Sequence, residues 1–348
     1  MATMVTSLGR RRVKKADINE EVEFGKAIIS ADDSQFLCTF CGCDLQSEDQ
    51  ARKHVVGWKH FRRARMVSSA LACPSFDASA SSVVGRIVAI GDCHGGRTCS
   101  LLLPQRTRSA FHGGSIYSRT CRDGGRQLPS LMSALRHQDL DHVCDGKWLV
   151  AIWSYGEIDV RCHASRWSGN GVGQEECEGG TALSLARAYV CAVLHEAEAA
   201  ACAARAYQRG SGAASEARVY SIILAVPPAS AGRNNDRAPF VGELIDRVAA
   251  TKELNAALSE ACREAGAGEA LVFTGEDTWN FAMTSHQQHD GQLKVTAATS
   301  GPDNVAAVPG SLNADLSDGH VHVRSNLCGP VHSRLRDLLI RGLGLVAA

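Results

Sequence analysis

Two groups of residues in this chain of 348 have types and spacings suited to chemistry. Cys38 and Cys41 stand two residues apart, and His54 follows after twelve more residues and His60 after a further five. Two thiolates and two imidazoles give zinc a closed tetrahedral shell with no open position for a reacting water. This set therefore implies one structural Zn2+ per chain. Cys43 forms a second close pair with Cys41, but a fifth ligand is not needed and it reads as a bystander thiol. The second group is Gly91-Asp92-Cys93-His94-Gly95-Gly96, directly after a short apolar run. It gathers a carboxyl, a thiol and an imidazole on a glycine-rich turn, and Asp318-Gly319-His320-Val321-His322 adds the same acid and base types near the far end of the chain.

The elements that must position these groups can be read from the patterning. Ser47-Glu48-Asp49-Gln50 is a capping box, with Ser47 as N-cap and Gln50 at the third helical position. It starts a helix expected to carry both histidines. Six positions rotate an ideal helix by about 600°, which splays the two rings, and Gly57 lies between them where distortion costs least. Leu45, Val55, Trp58 and Phe61 can supply a small core, and Phe36 and Phe40 can flank a knuckle carrying the cysteines. Residues 1–35 are polar and charged without apolar periodicity, a flexible basic region, and 67–82 reads as a linker around the Ser/Ala-rich stretch 72–82.

From residue 83 the pattern alternates strand and helix. Unbroken apolar, β-branched runs at 83–90, 148–153 and 219–226, with a shorter one at 271–274, fit strands buried on both faces of a parallel sheet. Ala-rich 181–208 and the apolar spacing of Leu244, Ile245, Val248, Leu254 and Leu258 within 242–265 fit helices. Such alternation predicts an open three-layer α/β domain over 83–345, with its chemistry beyond the carboxyl ends of the strands.

The first unit, 36–66, carries a family resemblance. CTFCGCDLQSEDQARKHVVGWKH resembles the matrin-type, double-stranded-RNA-binding class of two-cysteine two-histidine ββα zinc fingers. The five-residue spacer between histidines and the ending Gly57-x-Lys59-His60 are features of that class. The resemblance implies a ligand that is nucleic acid, RNA more than DNA, or a protein. Arg52, Lys53, Lys59, Arg62, Arg63 and Arg65 would provide salt-dependent phosphate contacts.

Two families fit Gly91–Gly96. Gly-Asp-x-His-Gly, with Gly319-His320-x-His322, is similar to calcineurin-like metallophosphatases, in which Asp92, His94, His320 and His322 would hold two metals. That family also needs Gly-Asp-x-x-Asp-Arg and Gly-Asn-His stretches, and neither occurs; without the bridging carboxylate a two-metal clamp is not assembled. Residues 83–340 instead resemble SGNH, or GDSL-like, hydrolases in motif order. The carrying segments are His112-Gly113-Gly114-Ser115, Tyr155-Gly156-Glu157-Ile158-Asp159, Val226-Pro227-Pro228, Thr251-Lys252-Glu253-Leu254-Asn255 and Leu316–Val323. This resemblance implies a three-layer flavodoxin-like (SGNH-hydrolase-like) domain with a mostly parallel sheet, and a small ester-type substrate. Its carried-over roles are Cys93 as nucleophile in the family's serine position, Gly114 as an oxyanion donor, and Asp318 and His322 as orienting acid and base. His322 is preferred to His320 for its apolar neighbours Val321 and Val323. Three departures keep lost or altered catalysis open beside an active enzyme. These are Cys for Ser, an acidic Gly156–Asp159 block where the family has its oxyanion Asn, and three residues between Asp318 and His322 in place of two.

The other candidates have plainer readings. Glu157, Asp159 and Arg161 alternate along what reads as an extended segment, as a buried ion-pair network or a substrate clamp. His112 and His163 read as loop histidines, and Cys191 and Cys202 as small packing residues of an Ala-rich helix. The 37 basic and 37 acidic residues cancel, yet residues 1–66 carry 12 and 9 of them, with a basic cluster at Arg10, Arg11, Arg12, Lys14 and Lys15. With 45% apolar and 21% charged residues the composition is that of an ordinary globular protein. The lack of a long apolar stretch or an apolar leader predicts no membrane span and no secretory signal. Nuclear or cytoplasmic placement, with the 14 cysteines largely reduced, is the matching expectation.

Overall fold

The computed structural model describes residues 28–32, 35–38, 43–45, 47–56, 80, 82–91, 107–111, 114–120, 128–135, 147–167, 181–211, 218–231, 240–266, 270–284, 288–289, 292–293, 308–313, 317, 323 and 328–344. The chain divides into two units, 1–69 and 70–348.

In the first unit, β1 (Ile28–Asp32), β2 (Gln35–Cys38) and β3 (Cys43–Leu45) form an antiparallel sheet in that order. Its first strand falls in the stretch whose polarity reads as flexible; pairing of Ile28 with Cys38 and Ile29 with Leu37 supplies the order that local composition lacks. Cys38 closes β2 opposite Cys43, the first residue of β3. Helix α1 (Glu48–Val55) starts as the capping signal predicts, with Ser47 accepting the Gln50 N–H at 3.2 Å. It buries Ala51 and Val55. Val56 caps it, one residue before Gly57.

The second unit is built on five parallel strands: β4 (Val84–Gly91), β5 (Thr107–Phe111), β6 (Trp148–Ser154), β7 (Arg218–Ile223) and β8 (Leu271–Phe273). Their spatial order is β5-β4-β6-β7-β8. Numbered within the sheet this is 2-1-3-4-5, the flavodoxin-like order, whose switch point lies between the first and third strands, here β4 and β6. The four apolar runs become four of these strands. β5 (TRSAF) has no apolar run and escapes the pattern because, among the described residues, it is an edge strand paired on one side only.

Alternate residues of each strand feed opposite layers, which is why the runs are unbroken. Val88, Ile90, Leu149, Ala151 and Trp153 pack on one face with α4 (Ala182–Ser211) and α5 (Leu244–Ala265). Ile87, Ala89, Val150, Ile152 and Ile222 pack on the other with α6 (Gly329–Gly342). Two shorter helices, α2 (Ile116–Thr120) and α3 (Glu157–Trp167), follow β5 and β6. Ala80, in the predicted linker, is fully buried in the α6-side core, so packing begins before the first strand. A bidentate pair joins α4 and α5, Arg187 to Glu264 at 2.6 and 2.7 Å. Among the described residues no helix is long and apolar enough to cross a membrane.

Candidate active site at the carboxyl edge of the sheet

The strands β4 and β6 end side by side at the switch point, Gly91 opposite Ser154. The two backbones come so close that a Cβ on Gly91 would run into the Ser154 carbonyl oxygen. Only glycine allows β4 to end this close to β6. Gly156, two residues beyond β6, has φ +118°, and a Cβ there would lie 2.6 Å from Val226 Cγ2. This second enforced glycine lets α3 start directly behind the strand.

Glu157, Asp159 and Arg161 are helical, not extended. Glycine at 156 turns the chain into α3, and the helix then sets Glu157 and Arg161 one turn apart on one face while Asp159 points elsewhere. Asp159 is fully buried, and its carboxylate accepts the N–H groups of Ile116 at 2.6 Å and Tyr117 at 2.9 Å. It thereby ties the first turn of α2 to α3. Burial pushes its pKa up to about 6, against the pull of those two N–H donors. Ser115 and Ser118 exchange side-chain to backbone bonds at 3.0 and 3.1 Å, completing the cap of α2. Gly114, with φ +142°, immediately precedes this capped turn.

Glu157 and Arg161 form a buried pair, Nε to Oε1 at 3.0 Å. Burial drives the Glu157 pKa up to about 7, Arg161 opposes that rise, and the nearby Asp159 adds to it. Arg161 and Arg247 both stack on Phe240, at 5.5 and 4.8 Å from the ring centroid. Arg247 donates to the Gly242 carbonyl at 2.6 Å and the Ser230 carbonyl at 3.2 Å, and burial lowers its pKa. Glu157 Oε2 and Trp153 Nε1 are buried without a hydrogen-bond partner among the described residues. Of the two readings of these charges, the geometry fits an ion-pair network that anchors α3, α5 and the Phe240 segment.

The segment that continues β7 is fixed by side chains from three elements. Ala225 donates to Thr274 Oγ1 at 2.9 Å and accepts from Trp279 Nε1 at 2.7 Å. Asn255 on α5 accepts the Val226 N–H at 2.8 Å and donates to its carbonyl at 3.1 Å. Sequence reasoning gave Asn255 no role beyond its segment; the signal was an amide between Leu254 and Leu258 on a buried helix face. Thr274 and Trp279 carried no signal at all. Leu312 N–H donates to Ala229 O at 2.8 Å, bringing the 308–313 stretch to the loop after β7. Ser317 and Val323 then pair as an antiparallel bridge and are both buried.

Of the residues predicted for chemistry, Gly114 lies at the carboxyl edge as described. Asp92, Cys93, His94, Asp318, His320 and His322 lie outside the described residues. Cys38 ends β2 and His54 sits on α1; Cys41, His60, Lys59, Arg62, Arg63 and Arg65 lie outside the described residues. Arg52 and Lys53 are described, and each is paired on its own helix, with Glu48 at 2.7 Å and Asp49 at 2.6 Å. Among the described residues no three metal-ligand side chains cluster.

No family model matches this chain, and no curated protein matches it. Among solved structures, one provisionally described as a platelet activating factor from Streptococcus pneumonia is similar over 84% of this chain and 100% of that chain, at 13% identity and a TM-score of 0.35. Those values are too low to bear on activity.

Proposed function

We propose that the α/β unit is an SGNH-like acyl hydrolase with a cysteine nucleophile. In this reading the Cys93 thiolate attacks the carbonyl carbon of a small ester. The N–H groups of Cys93 and Gly114 face the oxyanion, His322 carries the thiol proton to the departing alcohol, and Asp318 orients His322. Water then attacks the acyl-thioester with the same imidazole as base, restoring the thiol. The observation that carries the reading is the capped helix start that directly follows Gly114. Asp159 holds the N–H groups of Ile116 and Tyr117 so that the backbone before them is rigid at the edge where β4 stops at Gly91. A preorganised N–H beside a strand-end nucleophile is what oxyanion stabilisation requires. The flavodoxin-like strand order and the return of the 308–313 stretch to the loop after β7 support the same arrangement.

The acidic Gly156–Asp159 block fits this reading differently from the family's amide. Asp159 is an acceptor that holds the Ile116 and Tyr117 N–H groups just beyond Gly114 and donates nothing to substrate. Oxyanion stabilisation then rests on backbone N–H groups, and removing one such donor from an acyl-transfer site costs on the order of 10²–10³ in rate. Turnover is therefore expected to be slow. The test is labelling by a fluorescent acyl electrophile together with hydrolysis of short-chain p-nitrophenyl esters. Cys93→Ala should lose both, and equal labelling of that variant refutes the nucleophile. Phosphatase turnover that needs added Mn2+ and disappears in Asp92→Asn would replace this reading with the two-metal one.

We further infer that 36–66 is a zinc finger that binds structured RNA through its phosphates. The hairpin closing at Cys38 and Cys43, the Ser47 cap and a helix bearing His54 fit a Cys38, Cys41, His54, His60 ligand set. The exposed i,i+4 pairs of Arg52 and Lys53 are worth about 0.3–0.5 kcal/mol each, so phosphate can displace them. RNA binding by the full chain should weaken steeply with salt and be lost on chelation or in Cys41→Ser. Binding unchanged by chelation would remove the finger from the RNA site.

A further inference from the structure

The outward face of α4 holds an arrangement that neither unit's proposed activity uses. Arg187, Cys191, His195, Glu198, Cys202 and Ala206 are exposed along it. Cys191 and Cys202 are free thiols. Their exposure corrects the expectation that they pack in the core, and cysteine is otherwise among the most buried residue types. At 100° per residue, positions 191, 195, 198 and 202 fall within an arc of about 60°, a single stripe over three turns. In order they are a thiol, an imidazole, a carboxylate and a thiol.

The spacings of four, three and four read the same in both directions. A two-fold axis perpendicular to the helix, passing between positions 196 and 197, exchanges 191 with 202 and 195 with 198. A second copy of α4 laid antiparallel on that axis brings Cys191 and His195 of one chain against Cys202 and Glu198 of the other, twice over. The flanks agree with this register. Arg187 comes opposite Ala206 and Arg205 opposite Ala188, so each cation meets a small side chain and no like charges face one another.

Within one copy the stripe offers ligands only in pairs, and no group of three gathers among the described residues. A tetrahedral shell of sulfur, nitrogen and oxygen donors is complete only with the second copy. The stripe is also too polar for apolar burial to hold two helices together, so metal–ligand bonds would have to supply the attraction. In the single chain the Cys202 end of the stripe is already joined to Glu198 and Arg205. Arg205 Nη2 lies 3.0 Å from Cys202 Sγ and 2.7 Å from Glu198 Oε1, and Cys202 Sγ lies 3.1 Å from the same carboxylate oxygen.

We propose that this stripe is a binding site for a thiophilic divalent cation of the zinc class, shared between two copies of the chain. Each ion is held by Cys191 and His195 of one copy and by Glu198 and Cys202 of the other, two ions per pair of chains. Each bound ion displaces two thiol protons to solvent. The proposal does not depend on the reading of either the hydrolase site or the finger.

The experiment uses the full chain in a non-chelating phosphine reductant, titrated with Zn2+ alone and followed by sedimentation and metal analysis. Zinc should convert monomer to dimer, a chelator should reverse it, and Co2+ should give thiolate charge-transfer absorption. The double variant Cys191→Ser, Cys202→Ser changes only exposed positions; it should bind one zinc fewer per chain and stay monomeric at every zinc concentration. Cys41→Ser, which disables the finger, should still form the dimer. A chain that stays monomeric at saturating zinc overturns the proposal. So does a dimer that survives in the double variant or in chelator, or one that forms only on oxidation without metal.

Discussion

The buried carboxylate of Glu157 should make the stability of the α/β unit fall as the pH rises through neutrality. Its pKa stands at about 7 in the folded chain against an ordinary 4.5, because burial outweighs the attraction of Arg161. The folded state therefore holds an extra proton between these values, and stability fully present below 4.5 is lost as the pH rises through 7. Integrating one site over pH 5 to 7.5 gives a loss of about 2 kcal/mol, roughly half of it above pH 6. Asp159 shifts in the same direction, with a pKa of about 6, so its loss is largely complete where the second half of the Glu157 effect occurs. Glu157→Gln isolates the effect, since the amide has the carboxyl group's shape and does not titrate. The assay is thermal unfolding of both proteins in a buffer series, read as their difference so that other titrating groups cancel. The wild-type advantage should shrink by about 2 kcal/mol from pH 5 to 7.5, a relative melting shift of about 4–8 °C for a unit of this size. A difference that is flat, or that grows with pH, refutes the claim that burial dominates at Glu157.

Asn255→Asp puts a carboxylate against the Val226 carbonyl in place of the amide that donates to it at 3.1 Å. Burying that repulsion should destabilise the unit by about 2–4 kcal/mol, measurable by urea unfolding, whereas Asn255→Leu should cost less because no unpaired charge is buried. Gly91→Ala forces a methyl group into the Ser154 carbonyl and should sharply reduce the melting temperature or the soluble yield. Gly344→Ala, where a Cβ meets nothing within 4 Å, should cost only the backbone strain of its φ of +62°, about 1–2 kcal/mol, and serves as the reference.

Burial on both faces made the sheet legible. Trp148–Ser154 alternates its side chains between two helical layers, so every position is apolar and the run stands out. Thr107–Phe111 pairs with one neighbour only, and its arginine and serine hide it. Gly91, directly after an apolar run, marked the carboxyl edge, but the helix starting at Glu157 was masked by a charge alternation that mimics a strand. The bonds from the Ile116 and Tyr117 N–H groups to Asp159 join residues more than forty positions apart, and no local pattern encodes such a contact. The thiols of α4 show the opposite failure. An Ala-rich context suggests a buried helix, yet a 30-residue helix lying on a sheet keeps one full stripe outside.

The layering also sets the order in which the unit can become whole. The face bearing Ile87, Val150, Ile152 and Ile222 is roofed by Val331, Leu335, Leu338 and Leu339 of α6, the last described element of the chain. A ribosome makes that sheet face long before it makes its roof. Through most of synthesis the growing chain carries a sticky, strand-rich surface of the kind that chaperones retain and that aggregates seed from. Helix α6 is thus the latch of the fold, and a stop before residue 329 would leave a chain that has its switch point and its strands but no cover for that face.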